Sequence, residues 1–379
     1  MAAGPIVPMA KTVYLDFNAT APIRPEVVNA MVAVMEAGGN PSSVHQAGRT
    51  ARNRVEEARG RLARLLGCKP PEIIFTSGGT EANNFALSSF PDRPLLISAG
   101  EHDSVLAVAR NAVQLPLTSD GQLDLAALGV CLDEAGEGAL VSVRLANNET
   151  GVIQPVAEIA ALVHEKGGLF HCDAIQGAGK IPVDFKALGA DMMSVSAHKF
   201  GGPQGIGALV LRDGLAVPPL LKGGGQELGR RAGTENVAGI VGMGVAAQSA
   251  HEGLDNYEMV AKLRDRLEAQ LLNISPESHI YGHETPRLPN TTAISMPGVA
   301  SELQVMSLDL DGIAVSAGSA CSSGKVKASH VLKAMGASDE EAGSAIRISL
   351  GWTTTEVEID RLVASWRKLY QRKSPKFAA

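Results

Sequence analysis

The sequence predicts an α/β fold: a large domain on a mostly parallel sheet, followed by a smaller α+β domain. Three observations carry this. The chain has 379 residues, enough for two domains at about 100–200 residues each. Short apolar runs alternate with helical segments over much of its length, the pattern of a parallel sheet covered on both faces. Towards the C-terminus that alternation gives way to separate strands and helices. The large domain is placed at 13–255 and the small one at 256–379, with residues near 13–25 free to pack with the small domain.

The elements follow in order. Residues 44–66, "VHQAGRTARNRVEEARGRLARLL", have helical periodicity and end at Gly67, a C-cap residue type. Strands are expected at 72–77, 94–100, 139–146, 168–174, 191–197 and 205–211. Helices are expected between them at about 81–89, 102–112 and 155–166. Residues 235–273 read as a long helix broken near Gly253. Then come the strand "TTAISMP" (291–297), a helix near 301–308, a loop around Cys321, the strand "AIRISLG" (345–351) and a last helix at about 355–370. There is no internal repeat and no low-complexity segment.

Composition narrows the function. Hydrophobic residues make up 45% and charged residues 20%, the balance of a soluble globular protein. A chain this long forms a full core without staples. The net charge of -6 argues against nucleic acid or an anionic membrane as a general partner. The four cysteines, Cys68, Cys131, Cys172 and Cys321, form no CxxC pair. That argues against a zinc ribbon, a dithiol redox motif and a secreted disulfide framework, and for reduced thiols in the cytoplasm. The N-terminus lacks the features of a signal peptide, and no apolar run approaches the roughly 18 residues of a membrane span. Residues 1–12 read as a leader, with Met9 an alternative start.

Ligands of open α/β sheets bind at the carboxyl ends of strands, and four strand ends here carry chemistry. In "FTSGGTEANN" (75–84), Gly79 and Thr80 open a helix whose free N–H groups suit a phosphate; a plain strand–helix turn would look the same. In "FHCDAIQG" (170–177), Asp173 ends an apolar strand, where a carboxylate needs a partner. A protonated ring nitrogen would serve, with Gln176 one turn away; a helix cap or metal ligand is the alternative. In "SVSAHKFGGPQGIG" (194–207), Lys199 stands where desolvation can make a nucleophilic amine, and Ser196 and His198 beside it could hold phosphate. "RLANNETGVIQP" (144–155) offers Asn147, Asn148 and Glu149, or a simple turn. Arg347, inside an alternating strand, should meet a carboxylate, structural or substrate. Gly-rich 222–236 could touch phosphate or be a surface loop. Cys321 lies in "VSAGSACSSGKVKASH" (315–330), where its neighbours are small.

Taken together these motifs resemble the class V aminotransferase family of pyridoxal-phosphate enzymes, and within it the cysteine desulfurases of the long-loop subgroup. The landmarks "YLDFNATAP", "GNPSSVHQAGR", "FTSGGTEANN", "EHDSV", "NNETGVIQP", "HCDAIQGAGK", "SAHKFGGPQGIG", "RRAGTEN", "RLPN", "SAGSACSSG" and "IRISLG" stand in family order over nearly the whole chain.

The resemblance implies fold-type I, with Lys199 joined to the cofactor as a Schiff base and Asp173 on the ring nitrogen. Gln176 and Asn148 would bond near the ring hydroxyl, and His102 would stack on the ring and move protons. Gly79, Thr80, Ser196 and His198 would hold the phosphate. Thr234 would reach the phosphate of a neighbouring subunit, which implies a homodimer with shared sites. Arg347, helped by Asn148, would bind the substrate carboxylate.

Cys321 would take sulfur from L-cysteine as a persulfide, leave L-alanine, and pass the sulfur to an acceptor or iron–sulfur scaffold protein. Its only metal role would be as a transient iron–sulfur ligand. Phe17 and Trp352 depart from the residues common in the family. A selenocysteine lyase, a transaminase or other β-eliminating enzyme, and a non-catalytic sulfur-relay subunit remain as alternatives.

Overall fold

The computed structural model describes residues 12–318 and 328–373. The chain opens with a short strand, β1 (Val13–Tyr14). There follow β2 (Ile73–Thr76), β3 (Leu95–Ser98), β4 (Val113–Leu115), β5 (Leu140–Arg144), β6 (Leu169–Asp173), β7 (Met192–Ser196) and β8 (Gly207–Leu211). Strands β2 to β8 form one seven-stranded sheet in the spatial order β2-β8-β7-β6-β5-β3-β4. The pairs from β4 through β7 are parallel, while β8 runs antiparallel to both β7 and β2.

Both faces of this sheet are covered, which is why its strands read as continuous apolar runs. Successive residues point to opposite faces. Ile73, Leu96, Val141, Phe170, Met193 and Val210 pack with the helices Gln46–Leu66, Val156–Glu165 and Val237–Glu252. Their chain neighbours Ile74, Ile97, Leu140, Leu169, Met192 and Leu209 pack with the helix Gly79–Ser88. Each fully buried side chain of this size contributes about 1.5–3 kcal/mol by leaving water.

A second unit holds β9 (Thr291–Ser295), β10 (Ile313–Ala314), β11 (Ser316–Ala317) and β12 (Ala345–Ser349). Strands β11, β12 and β9 form an antiparallel sheet, and β1 pairs in parallel with β10. Its core gathers Leu263 and Leu267 from the helix Asn256–Ile274, Ile346 and Ile348 from β12, and Trp366 from the helix Glu356–Lys373. Val13 and Leu15 belong to this core.

Six expected strands of the main sheet are present, whereas strand β4 and the helices Pro25–Ala37 and Leu125–Ala135 were not expected. The expected helix at 102–112 is helical only over Asp103–Leu106, and the chain then turns and extends as β4 beside β3. Pro116 follows β4 and biases Leu115 towards extended backbone. The break expected near Gly253 is present, and it parts the helices Val237–Glu252 and Asn256–Ile274.

The residues that depart from the family pattern pack together. Phe17 and Trp352 meet edge to face with centroids 5.4 Å apart. The Arg24 guanidinium lies 3.9 Å from the Trp352 ring centre. Gly351 sits directly under Phe17: a Cβ there would fall 1.9 Å from the ring. We therefore expect Gly351→Ala to cost about 1–3 kcal/mol through overpacking. Denaturant unfolding should show it, and an unchanged midpoint would mean that the Phe17 ring has room to yield.

The sheet also buries an imidazole. His171, in β6, has Nδ1 2.9 Å from Ser142 Oγ on β5 and Nε2 2.9 Å from Ser194 Oγ on β7. Full burial pushes its pKa down to about 4. In the unfolded chain it titrates near ~6.5. Between these values the unfolded state takes up a proton that the folded state refuses, so stability falls as pH falls through that window. His198, also lowered to about 4, acts in the same direction, while Glu101, raised to about 8, acts oppositely. His171→Gln should therefore flatten the loss of stability between pH 6.5 and 4 without abolishing it. Unfolding curves across that range test this, and parallel profiles for the two proteins would refute it.

Candidate active site

The carboxyl ends of β5, β6 and β7, the amino end of the helix Gly79–Ser88 and the segment after β1 enclose a cleft of about 420 Å³. Arg347 of β12 and Gly318 close it from the second unit. Gly79, Thr80, His102, Asn148 and Asp173 all line it, as do Gln176, Ser196, His198 and Lys199. Thr234 does not: it is exposed, between β8 and the helix Val237–Glu252. Cys321 lies outside the described residues.

Asp173 ends β6 and is 5% exposed. Its Oδ1 accepts from Ile175 N at 3.0 Å and its Oδ2 from Asn83 Nδ2 at 2.9 Å. Both of these donors are neutral. Asn83 Nδ2 also lies 2.9 Å from Ser104 Oγ, which is 2.9 Å from His102 Nδ1. His102 caps the helix Asp103–Leu106, and its Nδ1 accepts the Ser104 N–H at 3.1 Å. In the neutral ring the proton is therefore on Nε2. Burial, then the Arg144 charge, holds the His102 pKa below its ordinary value.

At the other end, Gly79 lets the helix approach β6 and β7. A Cβ there would fall 2.3 Å from Ile175 Cδ1 and 3.4 Å from Ser196 Cβ. Gly207 serves the same close approach, since its Cβ would meet the Gly78 backbone at 2.6 Å. The helix thus presents its amino end to the cleft beside Ser196 and His198. His198 Nδ1 lies 3.1 Å from Thr20 Oγ1.

Lys199 follows β7 and donates from Nζ to the carbonyls of Asn18 and Ala19, both at 2.8 Å. Arg347 meets the expected carboxylate within the chain, as its Nη2 donates to Asp16 Oδ1 at 2.7 Å. Ser316 Oγ holds the other Asp16 oxygen at 2.7 Å. Arg347 Nη1 reaches the Asn148 carbonyl at 3.2 Å, and its Nε is buried without a hydrogen-bond partner. In "NNE", Asn147 makes the turn by accepting from the N–H groups of Glu149 and Thr150. Glu149 accepts from Ser329 Oγ at 2.6 Å.

Several functional residues were not singled out by the sequence. Asn18, Lys180 and Arg144 stand within quoted motifs, but nothing in their spacing marks them. Lys180 is buried and donates to Asn18 Oδ1 at 2.7 Å and Gln176 Oε1 at 2.6 Å. Burial holds its pKa well below the ordinary lysine value.

The donor set fits pyridoxal phosphate. A buried carboxylate free of a bonded cation suits a protonated ring nitrogen, and a helix amino end with small residues suits a phosphate. Cys68 and Cys172 do not suit nucleophilic work as placed. Burial pushes Cys68 up to about 12 and Cys172 well above the ordinary thiol range. No group of three or more metal-ligating side chains occurs among the described residues, and no helix among them is long and apolar enough to cross a membrane.

Comparison with known proteins agrees. Residues 13–362 match the family model described as aminotransferase class-V. A cysteine desulfurase of Sinorhizobium fredii is 44% identical over 369 residues, covering 93% of this chain and 95% of that protein. One of Klebsiella pneumoniae is 43% identical over 373 residues, covering 96% and 94%. Among solved structures, a NifS-like protein of Rickettsia africae superposes with a TM-score of 0.88 at 38% identity, covering 95% of this chain and 99% of that one. SspA in complex with cysteine gives 0.76 at 30% identity, covering 89% and 99%. This chain belongs to the class-V aminotransferase family of pyridoxal-phosphate enzymes, and within it to the cysteine desulfurases.

Proposed function

We propose that the cleft holds pyridoxal phosphate together with L-cysteine, and that Cys321 takes the substrate sulfur as a persulfide while L-alanine leaves. The observation that carries this is the convergence of Lys199, Asp173, His102 and the Gly79–Thr80 helix end on one cleft whose far wall is Arg347. Asp173 holds the ring nitrogen, Asn148 and Gln176 lie towards the ring hydroxyl, and Gly79, Thr80, Ser196 and His198 hold the phosphate. When bound, the cofactor supplies a carbonyl that joins amines and a ring that takes up the electron pair left at the substrate Cα.

The side chains do the rest. Lys199 Nζ, aimed by two carbonyls, would be the amine that holds the cofactor and the base that takes the Cα proton. Arg347 binds the substrate carboxylate through a charge-assisted pair, in competition with Asp16. With Nδ1 occupied, His102 presents Nε2–H and acts as a proton donor in this state. That favours the substrate itself as the acceptor of the Cys321 thiol proton. Cys321 Sγ forms the new S–S bond, and the electron pair of the broken Cβ–S bond returns to the substrate carbon. Gly318 lines the cleft, and three peptide links reach at most about 11 Å, so Cys321 is tethered close enough to approach it.

The persulfide then goes to a sulfur-acceptor or iron–sulfur scaffold protein in the cytoplasm. Exposed Thr234, outside its own cleft, supports a homodimer in which it reaches the neighbouring site. Two variants test the chemistry. Lys199→Ala should lose the visible absorption of the lysine-bound cofactor. Cys321→Ala should keep that absorption but lose alanine release from L-cysteine by at least about 10³-fold. Alanine release that survives Cys321→Ala would overturn the persulfide route.

A further inference from the structure

Arg144 ends β5 at the wall of the cleft and is 4% exposed. Its guanidinium is only partly used. Nη1 donates to Asn148 Oδ1, but Nε and Nη2 are buried and donate to nothing. The Glu101 carboxylate is near, with Oε2 at 3.9 Å from Nε. That distance is too long for a hydrogen bond, and Oε2 is likewise without a hydrogen-bond partner. Full burial raises the Glu101 pKa to about 8, which weakens the offset this carboxyl gives the guanidinium charge. Arg347, by contrast, is paired with Asp16 at 2.7 Å. A buried guanidinium with idle donors is costly unless an anion completes it.

Position identifies the anion. Arg144 stands opposite Asp173 in the parallel β5–β6 register, so the two side chains leave the same face of the sheet. Through Nη1 it also fixes Asn148 with its amide oxygen inward to the arginine, which turns the Asn148 NH₂ elsewhere. Arg144 thus stands between the residue assigned to the ring nitrogen and the residue assigned to the ring hydroxyl.

We propose that Arg144 is a cofactor-binding residue whose Nε–H and Nη2–H take the ring oxygen of pyridoxal phosphate in its anionic form. This rests on the functional reading above and adds to it a fixed positive charge beside that oxygen. The other charged or titratable groups around the cleft are Glu101, His102 and Asp103 after β3, Glu149 after β5, Asp173 of β6 and Lys180 after it, His198 and Lys199 after β7, His330 of the helix His330–Ala334, and Arg347 of β12 with its partner Asp16. All of them are retained when Arg144 alone is changed.

The test compares wild type, Arg144→Lys and Arg144→Met. Each is measured as holoenzyme without substrate, and again after the cofactor is removed and titrated back. In Arg144→Met the dissociation constant for pyridoxal phosphate should rise about tenfold to a hundredfold. The apparent pKa of the visible band should rise by about 1–3 units, because a neighbouring positive charge that favoured the deprotonated form is gone. Arg144→Lys should recover part of the pKa shift, since it restores charge but not the guanidinium fork. With the 3-O-methyl analogue of the cofactor, which cannot form the ring oxyanion, wild type and Arg144→Met should bind nearly alike.

An unchanged dissociation constant and band pKa in both variants would overturn the proposal. So would a raised KM for L-cysteine with both cofactor readouts unchanged, which would assign Arg144 to the substrate. If wild-type apoenzyme takes up no pyridoxal phosphate, the functional reading itself fails, whatever the variants do.

Discussion

Asn18 joins the two halves of this molecule, and the cleft depends on it. Its backbone N–H donates to Ser349 Oγ at 3.0 Å, and its Nδ2 to Thr291 Oγ1 at 2.9 Å, both on strands of the second unit. Its Oδ1 accepts from Lys180 and from Asn290. Its carbonyl accepts from Gln176 at 2.9 Å and from Lys199 at 2.8 Å. One buried residue thus holds Lys199, Gln176, the strand that carries Arg347 and that strand's neighbour β9. A network of this kind is worth having only when every member is satisfied, and Asn18 is 1% exposed. A change at Asn18 would reach the chemistry through Lys199 and Gln176 without any contact with substrate.

The same economy governs charge. Four cationic side chains line or back the cleft: Arg144, Lys180, Lys199 and Arg347. Lys180, buried between two amide oxygens, is held towards its neutral form, so it works as a hydrogen-bond donor and adds little field. Arg347 is offset by Asp16 until a carboxylate competes for it. Asp173 is reserved by neutral donors for a cation yet to arrive. The field of the cleft is therefore arranged for a ligand positive at one ring position and negative elsewhere. That demand is stricter than general attraction for anions, and a free phosphate alone would not meet it.

Much of this was legible before the structure. Residues at the carboxyl ends of strands announced the cleft, because a carboxylate such as Asp173 or a lysine such as Lys199 is out of place after an apolar run unless it has work to do. The sheet read well for the same reason: strands buried on both faces are apolar throughout. Strand β4 was missed because it is three residues long, with two of them exposed, so it has no apolar signature and exists by pairing with β3. Asn18 was missed because its side-chain partners lie more than 100 residues away, and Lys180 because it is bound to Asn18 from 162 residues away, which no local period records. Arg144 was missed for another reason: an arginine at the end of a strand looks like a solvated charge, and only its burial with idle N–H groups makes it unusual.

The Cys321 segment reads differently once its two ends are placed. In sequence the residues around the cysteine are small. Gly318 has a more local duty, because a Cβ there would fall 2.8 Å from Glu149 Oε2 and 3.1 Å from Ser329 Cβ. Gly318 and Ser329 therefore form a narrow neck against Glu149, whose Oε2 is tied to Ser329 Oγ. His330, the next residue, contacts the Glu101 carbonyl through Nε2 at 2.9 Å. Gly318 and His330 thus both border the cleft. At Gly318, then, the requirement for a missing side chain is one of closing this neck.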